Sequence, residues 1–185
     1  MSLKINKFFG GSVLLIENNK YEDSRGFFSE IYNKEILNKS NIRVEFVQDN
    51  FSFSKQKGII RGLHFQSPPF AQSKLIQVIK GKILDVVVDL RNKSNTYGDH
   101  KQFEISGNNF HQLFISEGFA HGFATLEENT EVIYKVSNYY APKSEQTIYF
   151  ADQTLGIDWK INAQKAIVSD KDKKGVSFNE LQSPF

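Results

Sequence analysis

The segment from Gly58 to Lys74 contains a single histidine, His64, which lies between the cations Arg61 and Lys74. An imidazole can take a proton from a carbon atom beside a carbonyl group, and nearby cations can stabilise the anion that results. A surface loop with ordinary charges explains the same residues about as well. The segment alone therefore leaves open whether His64 is a general base.

Two further segments could bind a polar ligand. Residues 23–30 open with a turn and carry a cation, aromatic rings and an acid, which could bind phosphate, stack on a base and accept hydrogen bonds. An edge strand after a turn is the competing interpretation. Residues 48–50 end an apolar run with three hydrogen-bonding side chains, which suit a turn equally well. The candidate residues of these segments are Arg25, Phe28, Glu30, Gln48, Asp49 and Asn50.

The later part of the chain adds a second histidine, a tyrosine and a carboxylate. His121 lies among glycines that permit close approach of the backbone, although a hydrogen-bonded core histidine is the alternative. Tyr134 is on the inward face of a predicted strand, where a phenol could donate a proton or be structural. A carboxylate from residues 168–172 could fold back to orient an imidazole, or belong to a solvated charge cluster.

Composition limits the classes of function. The chain has 185 residues, no cysteine and a formal net charge of +2, which favour one domain over residues 1–185 and exclude disulfides and thiolate metal sites. We expect no nucleic-acid or membrane partner, and no segment resembles a signal peptide or membrane span, so we expect a soluble, cytoplasmic protein.

Metal-binding jelly rolls usually carry His-x-His in one strand, whereas this chain has His64-Phe65-Gln66, so we expect no metal.

The elements that must hold these side chains are mostly short strands. Alternating apolar and polar residues, separated by turn residues, predict an all-β, double-stranded jelly-roll sandwich of about ten strands with a few short peripheral helices. One of these strands alternates between an apolar face and a face that carries Asp85 and Asp89. Lys80-Gly81 is predicted to be a tight hairpin turn. The strands are predicted at 12–17, 27–32, 45–53, 75–79, 82–91, 100–106, 112–115, 121–126, 131–136 and 147–150, and the helices at 33–38 and 162–166.

Nine motifs, in order from Asp23 to Asp172, together resemble the dTDP-4-dehydrorhamnose 3,5-epimerase family. The sequence departs from the family pattern at Ser116 and Asn95, two turn positions where proline is common. The motifs are Asp23-x-Arg25-Gly26-x-Phe28-x-Glu30, Gln48-Asp49-Asn50, Arg61-Gly62-Leu63-His64-x-Gln66, Pro68-Pro69-x-Ala71-Gln72-x-Lys74, Gly118-Phe119-Ala120-His121-Gly122-Phe123, Tyr134-Lys135, Tyr139-Tyr140-x-Pro142-x-Ser144-Glu145, Gly156-Ile157-x-Trp159 and Ser169-x-Lys171-Asp172.

The resemblance implies a cupin-like subunit of a homodimer and an enzyme without a cofactor. Its reaction would invert C3 and C5 of dTDP-4-dehydro-6-deoxy-D-glucose, giving dTDP-4-dehydro-L-rhamnose for surface polysaccharides. His64 would be the base, paired with Asp172, while Tyr134 would be the acid on the opposite face and Lys74 would hold the C4 oxyanion. Strand alternation makes Asp85 a possible partner of His121. Arg25, Phe28 and Glu30 would contact the nucleotide, either in their own subunit or in the neighbouring one. The full set of residues implied to bind the substrate is Arg25, Phe28, Glu30, Gln48, Asp49, Asn50, Arg61, His121, Tyr140, Glu145 and Lys171.

Three alternatives stay open at this point. A relative could invert C3 alone, or accept another nucleotide or a longer sugar such as a GDP-linked 4-keto-heptose. A metal-dependent jelly-roll enzyme is disfavoured by the residues around His64. A non-catalytic sugar-binding module would need no general base.

Overall fold

A computed structural model describes residues 4–185, apart from the side chain of residue 163. Fourteen strands dominate this part of the chain and two short α-helices accompany them. The first seven strands are β1 (Lys4–Phe8), β2 (Val13–Glu17), β3 (Tyr21–Asp23), β4 (Gly26–Phe28), β5 (Gln48–Ser54), β6 (Ile59–Gln66) and β7 (Lys74–Lys80). The others are β8 (Lys82–Asp89), β9 (His100–Ser106), β10 (His111–Ile115), β11 (Phe119–Thr125), β12 (Thr130–Val136), β13 (Glu145–Thr147) and β14 (Ile167–Val168).

Two sheets form a jelly-roll sandwich, which confirms the predicted fold class. The first has the order β1-β2-β10-β7-β12-β5, and the second has the order β13-β6-β11-β8-β9, with β14 parallel to β6. Between them lies a core of aliphatic and phenylalanine side chains, which includes Val87, Phe103 and Phe123 from the second sheet and Ile76 and Val132 from the first. The strands β3 and β4 form a separate hairpin.

The outer faces of both sheets are also covered. Leu84, Val86, Val88 and Leu90 pack beneath the C-terminal segment, in a cluster that includes Trp159. The opposite face of β8 points into the sandwich, where Ile83 and Val87 belong to the core. Because both faces of β8 are buried, the acids on its inner face must be paired with other polar groups.

Two short helices lie at the edges of the sandwich. Helix α1 (Lys34–Lys39) begins after Asn33, whose side chain accepts hydrogen bonds from the backbone N–H groups of Glu35 and Ile36. Helix α2 (Asp170–Lys173) begins after Ser169, whose side chain accepts from the N–H of Asp172. The helix predicted at 33–38 is thus confirmed within one residue, while that at 162–166 is a 3-10 turn, Ala163–Lys165. No helix in the described part of the chain is long and apolar enough to span a membrane.

The predicted hairpin at Lys80-Gly81 is wrong. The strands β7 and β8 belong to different sheets, and the chain crosses between the sheets at Gly81, which has a φ of 79°. A β-carbon there would lie 2.4 Å from Thr130 Oγ1, so the crossing needs glycine for space as well as for its backbone conformation. The glycine in the sequence correctly indicated a change of chain direction, but it did not indicate which sheet the next strand joins.

The strand that carries His64 was not predicted. Residues 59–66 form β6, a central strand of the second sheet rather than a surface loop. The strand predicted at 27–32 ends at Phe28 and lies outside both sheets, and the strand predicted at 147–150 is instead β13, which ends at Thr147. The remaining predicted strands exist; the strand at 100–106 has the predicted bounds, and the ends of the others differ by at most three residues.

Candidate active site

A cleft of about 730 Å³ opens between the two sheets, and most of the predicted chemistry faces it. Its walls include His64, Lys74, His121, Tyr134 and Asp172. A second cavity of about 290 Å³ shares three of these residues and adds Gln48 and Asn50. The cleft is therefore large enough, and polar enough, for a sugar with attached phosphate groups.

Asp172 orients the ring of His64. The Nε2 atom of His64 lies 2.7 Å from Asp172 Oδ1, and the second carboxylate oxygen accepts from the N–H of Gly62 at 3.2 Å. Burial raises the pKa of Asp172, but hydrogen bonds from His64, Gly62 and Ser169 outweigh it and hold the pKa below its usual value. Because an ionised carboxylate only accepts, Nε2 of His64 is the donor, and the basic lone pair is on Nδ1.

His121 has a carboxylate partner of its own. Its Nε2 atom lies 2.8 Å from Asp85 Oδ2, and Asp85 is completely buried. Burial lowers the pKa of His121, while Asp85 opposes this effect. In the pairing of β6 with β11, His121 lies directly opposite His64. The partner predicted from strand alternation is thus in place, and two imidazole–carboxylate pairs lie side by side.

Close packing of two glycines brings these histidines together. Gly62 has a φ of 126°, and a β-carbon there would lie 2.5 Å from the Cα atom of Gly122. The strands β6 and β11 also shift register between His121 and Phe123. Substitution of either glycine would separate the two strands and move His64 relative to His121.

Lys74 lies deep in the cleft. Burial lowers its pKa to about 8, although the carboxylates of Asp85 and Glu145 oppose the shift. An ammonium group with this pKa is still mostly charged at neutral pH and has lost much of its hydration. It can therefore stabilise a negative oxygen more strongly than an exposed lysine could.

Tyr134 faces the cleft from the other sheet. It belongs to β12, whereas His64 belongs to β6, so the two side chains approach the cleft from opposite walls. Burial raises the pKa of the Tyr134 phenol. The phenol is therefore protonated at neutral pH and can act as a proton donor.

The mouth of the cleft carries a small polar network. The Tyr140 hydroxyl donates to Glu145 Oε2 at 2.7 Å, and the Lys171 ammonium forms an ion pair with the same carboxylate. Burial raises the pKa of Glu145, but the bonds from Lys171 and Tyr140 reverse the effect and lower it. Arg61 also lines the cleft and donates to the backbone oxygen of Phe53 at 3.2 Å.

Four residues that were predicted to bind the substrate do not face the cleft of their own chain. Asp49 is on the outer face of β5, between the inward Gln48 and Asn50, and forms an ion pair with Lys135 at 2.8 Å. Arg25, Phe28 and Glu30 lie in or beside the β3–β4 hairpin and are absent from the walls of both cavities. The Arg25 side chain is 88% exposed and pairs with Asp23.

Sequence reasoning missed four polar residues at the site, one of which, Ser169, lines the main cleft. Gln66 and Gln72 line the second cavity, and Ser52 lines the main cleft. Ser52 could have been found, because the alternation that begins at Gln48 and Asn50 continues to it along β5. Among the described residues, no group of three or more histidine, cysteine, aspartate or glutamate side chains is arranged to hold a metal ion.

The family model described as dTDP-4-dehydrorhamnose 3,5-epimerase matches residues 11–180. The chain belongs to this family. The epimerase of Salmonella typhimurium is 47% identical over 148 residues, covering 80% of each chain, and that of Shigella flexneri is 42% identical over 167 residues, covering 90% of this chain and 91% of the relative.

Solved structures of epimerases in this family have the same fold. The enzyme from Bacillus anthracis, with TDP and PPi bound, has a TM-score of 0.92 at 42% identity and covers 95% of this chain and 99% of its own. The enzyme from Legionella pneumophila, in complex with dTDP-4-keto-L-rhamnose, has a TM-score of 0.91 at 39% identity and covers 97% and 94%. The predicted resemblance is confirmed.

Proposed function

We propose that this protein is an isomerase that inverts C3 and C5 of dTDP-4-dehydro-6-deoxy-D-glucose and so produces dTDP-4-dehydro-L-rhamnose. The observation that carries the proposal is the His64–Asp172 pair on one wall of the cleft, opposite a half-buried Tyr134 and beside a half-buried Lys74. The family membership supports the choice of substrate. The whole chain, residues 1–185, is proposed to be one epimerase domain.

The reaction begins with proton transfer to His64. The C4 ketone acidifies the hydrogens on C3 and C5, and Nδ1 of His64 removes one of them while Asp172 stabilises the imidazolium. The carbon–hydrogen electron pair forms the enolate, whose charge is on the C4 oxygen. Lys74 stabilises this oxygen, and one such donor contributes about 3 kcal/mol to the transition state.

Reprotonation from the opposite side completes the inversion. Tyr134 gives its phenolic proton to the carbon from the face opposite His64, and the enolate electron pair forms the new carbon–hydrogen bond. Before the second centre reacts, the His64 imidazolium loses its proton to solvent and the Tyr134 phenolate takes a proton from solvent. No electrons leave the sugar, so the chemistry needs no redox cofactor.

A relative supports the pairing of His64 with Tyr134. A 3'-monoepimerase from Streptomyces bikiniensis, 26% identical with a TM-score of 0.83, was crystallised with dTDP as a double mutant of one histidine and one tyrosine. Those two positions have the same separation along their chain as His64 and Tyr134 have in this one. The same relative makes inversion of C3 alone the second candidate function.

The binding roles follow from the same proposal. Arg61 and Lys171 are proposed to bind the diphosphate, and Gln48 and Asn50 to bind polar groups of the substrate, while His121 lines the sugar site and Tyr140 and Glu145 form its mouth. We further propose a cytoplasmic homodimer, in which the hairpin carrying Arg25 and Phe28 reaches the nucleotide in the partner subunit. Glu30, immediately after this hairpin, is assigned to the same nucleotide contact.

Incubation with dTDP-4-keto-6-deoxyglucose in deuterium oxide, followed by NMR of the sugar, tests the reaction. Deuterium at both C3 and C5 is expected, and deuterium at C3 alone would replace the proposal with the mono-epimerase. No incorporation would overturn both. The His64→Ala variant is expected to abolish exchange at both centres, and normal exchange in that variant would remove His64 from its role.

A further inference from the structure

The inner face of β5 carries a row of polar side chains along one wall of the cleft. Gln48, Asn50, Ser52 and Ser54 point inward, because side chains alternate between the two faces of a strand. Gln48 donates to Asn50 at 2.8 Å, and Ser54 accepts from Nε of Arg61 at 3.4 Å. Three members of the row thus have partners within the protein.

Ser52 differs from the other three. Its Oγ atom is buried and has no hydrogen-bond partner among the described residues. A buried hydroxyl without a partner destabilises the folded chain, so a native protein that keeps one usually gains something from it. Since Ser52 lines the main cleft, a ligand of that cleft is a natural partner for the hydroxyl.

The position of Ser52 indicates which part of a ligand it would meet. In the pairing of β5 with β12, Asn50 lies opposite Tyr134, Ser52 lies opposite Val132, and Ser54 lies opposite Thr130. Ser52 is therefore between the level of the proposed acid, Tyr134, and the level at which Arg61 contacts the strand. A rotation about χ1 is sufficient to turn a serine hydroxyl from one direction to another.

We infer that Ser52 binds the substrate by donating a hydrogen bond to a phosphate oxygen of the nucleotide diphosphate, beside Arg61. The inference rests on the proposed function for the class of ligand, a nucleotide sugar. A hydroxyl that satisfies one phosphate oxygen and a guanidinium that neutralises the charge are complementary donors. The unpaired hydroxyl of the free protein then becomes paired only when the diphosphate is present.

Binding of dTDP by Ser52→Ala, measured by isothermal titration calorimetry, tests the inference. We expect the affinity to fall about tenfold, the scale of one hydrogen bond to a charged group. The melting temperature should stay the same or rise, because the removed hydroxyl has no partner in the free protein. Ser52→Cys, which keeps the size but is a weak donor, should lose a similar part of the affinity.

Ser106→Ala is the matched control. Ser106 is buried on β9, and its hydroxyl oxygen accepts a hydrogen bond from the N–H of Asn109 at 3.0 Å. This variant should melt at a lower temperature and bind dTDP with unchanged affinity. Unchanged dTDP affinity in Ser52→Ala, or a melting temperature lowered as much as in Ser106→Ala, would overturn the inference.

The choice of dTDP separates this inference from the proposed function. Because dTDP has no sugar to epimerise, its affinity does not depend on the reaction. If the wild-type protein binds dTDP but exchanges no sugar protons, the proposed epimerase is overturned. The dTDP affinity of Ser52→Ala then still decides whether Ser52 binds the diphosphate. A wild-type protein that does not bind dTDP would overturn the role of Ser52.

Discussion

At the scale of single residues, the half-buried ammonium of Lys74 links the site to pH. Its pKa of about 8 means that the charge is present below pH 8 and is lost as the pH rises through that value. The pKa of Tyr134 is raised by burial, so its phenol stays protonated in the same range. We therefore expect kcat/KM to fall above about pH 8, because the free enzyme loses the cation that stabilises the enolate.

The variant Lys74→Arg tests whether Lys74 is the group that causes the fall in kcat/KM above pH 8. Arginine stays charged throughout this range, so the variant should be slower at neutral pH but should no longer lose activity between pH 8 and pH 9. The measurement is kcat/KM over that interval for both proteins. An alkaline decline of the same midpoint in the variant would show that another group titrates.

The roles of Tyr134 and His64 can be distinguished, because loss of the acid should impair inversion of the sugar centres without preventing removal of their protons. Tyr134→Phe should retain exchange of the sugar hydrogens with solvent, since His64 and Asp172 are unchanged, but inversion should fall by a factor of about 100 or more. NMR in deuterium oxide measures exchange and inversion in one sample. Tyr140→Phe is the matched change at the mouth of the cleft, and there exchange and inversion should stay in their wild-type ratio.

At the scale of elements, helix α2 holds Asp172 against His64 and also carries Lys171 to the mouth of the cleft. It has only four residues, and the side chain of Ser169 caps its first turn. Ser169→Ala should cost about 1 kcal/mol of stability. It should also lower kcat roughly fivefold, because the carboxylate that orients the base becomes mobile.

Asn33→Ala provides the comparison for this helix cap. Asn33 caps α1, a helix that packs on the outer face of the first sheet away from the main cleft. The two variants should lose similar stability in urea denaturation, whereas only Ser169→Ala should lower kcat at saturating substrate. Equal values of kcat in the two variants would mean that the cap of α2 does not influence Asp172.

The regularity of each strand decided which parts of the fold and of the site could be predicted from the sequence. Alternation along β12 predicted the inward face of Tyr134, and alternation along β8 placed Asp85 on the face opposite Leu84 and Val86, because a regular strand has a fixed period of two residues. The strand β6 escaped prediction because Gly62 interrupts its apolar run and a register shift against β11 breaks its alternation. The contact between His64 and Asp172 spans 108 residues and depends on tertiary structure, so the residues alone offered it as one of two interpretations and the resemblance to a family singled it out.

At the scale of the whole molecule, the cleft of one chain accounts for the reacting sugar better than for the nucleotide. The two imidazole–carboxylate pairs are complete within the chain, but Arg25 and Phe28 of the β3–β4 hairpin do not line its own cleft. Arg25 is 88% exposed at the side chain and Phe28 is 66% exposed. A pair of symmetric subunits that exchange these hairpins would cover exposed aromatic surface and complete both sites at once.

Mixing two inactive variants tests this arrangement directly. In a heterodimer of His64→Ala and Arg25→Ala subunits, one site has both defects, while the other combines its own His64 with the partner's intact hairpin. After subunit exchange, half of the dimers are heterodimers with one good site each, so activity should recover to about a quarter of the wild-type value. The assay uses substrate well below the KM of Arg25→Ala, and light scattering measures the mass of each sample. If Arg25 served its own chain, neither subunit of the heterodimer would have an intact site, and mixing would restore nothing.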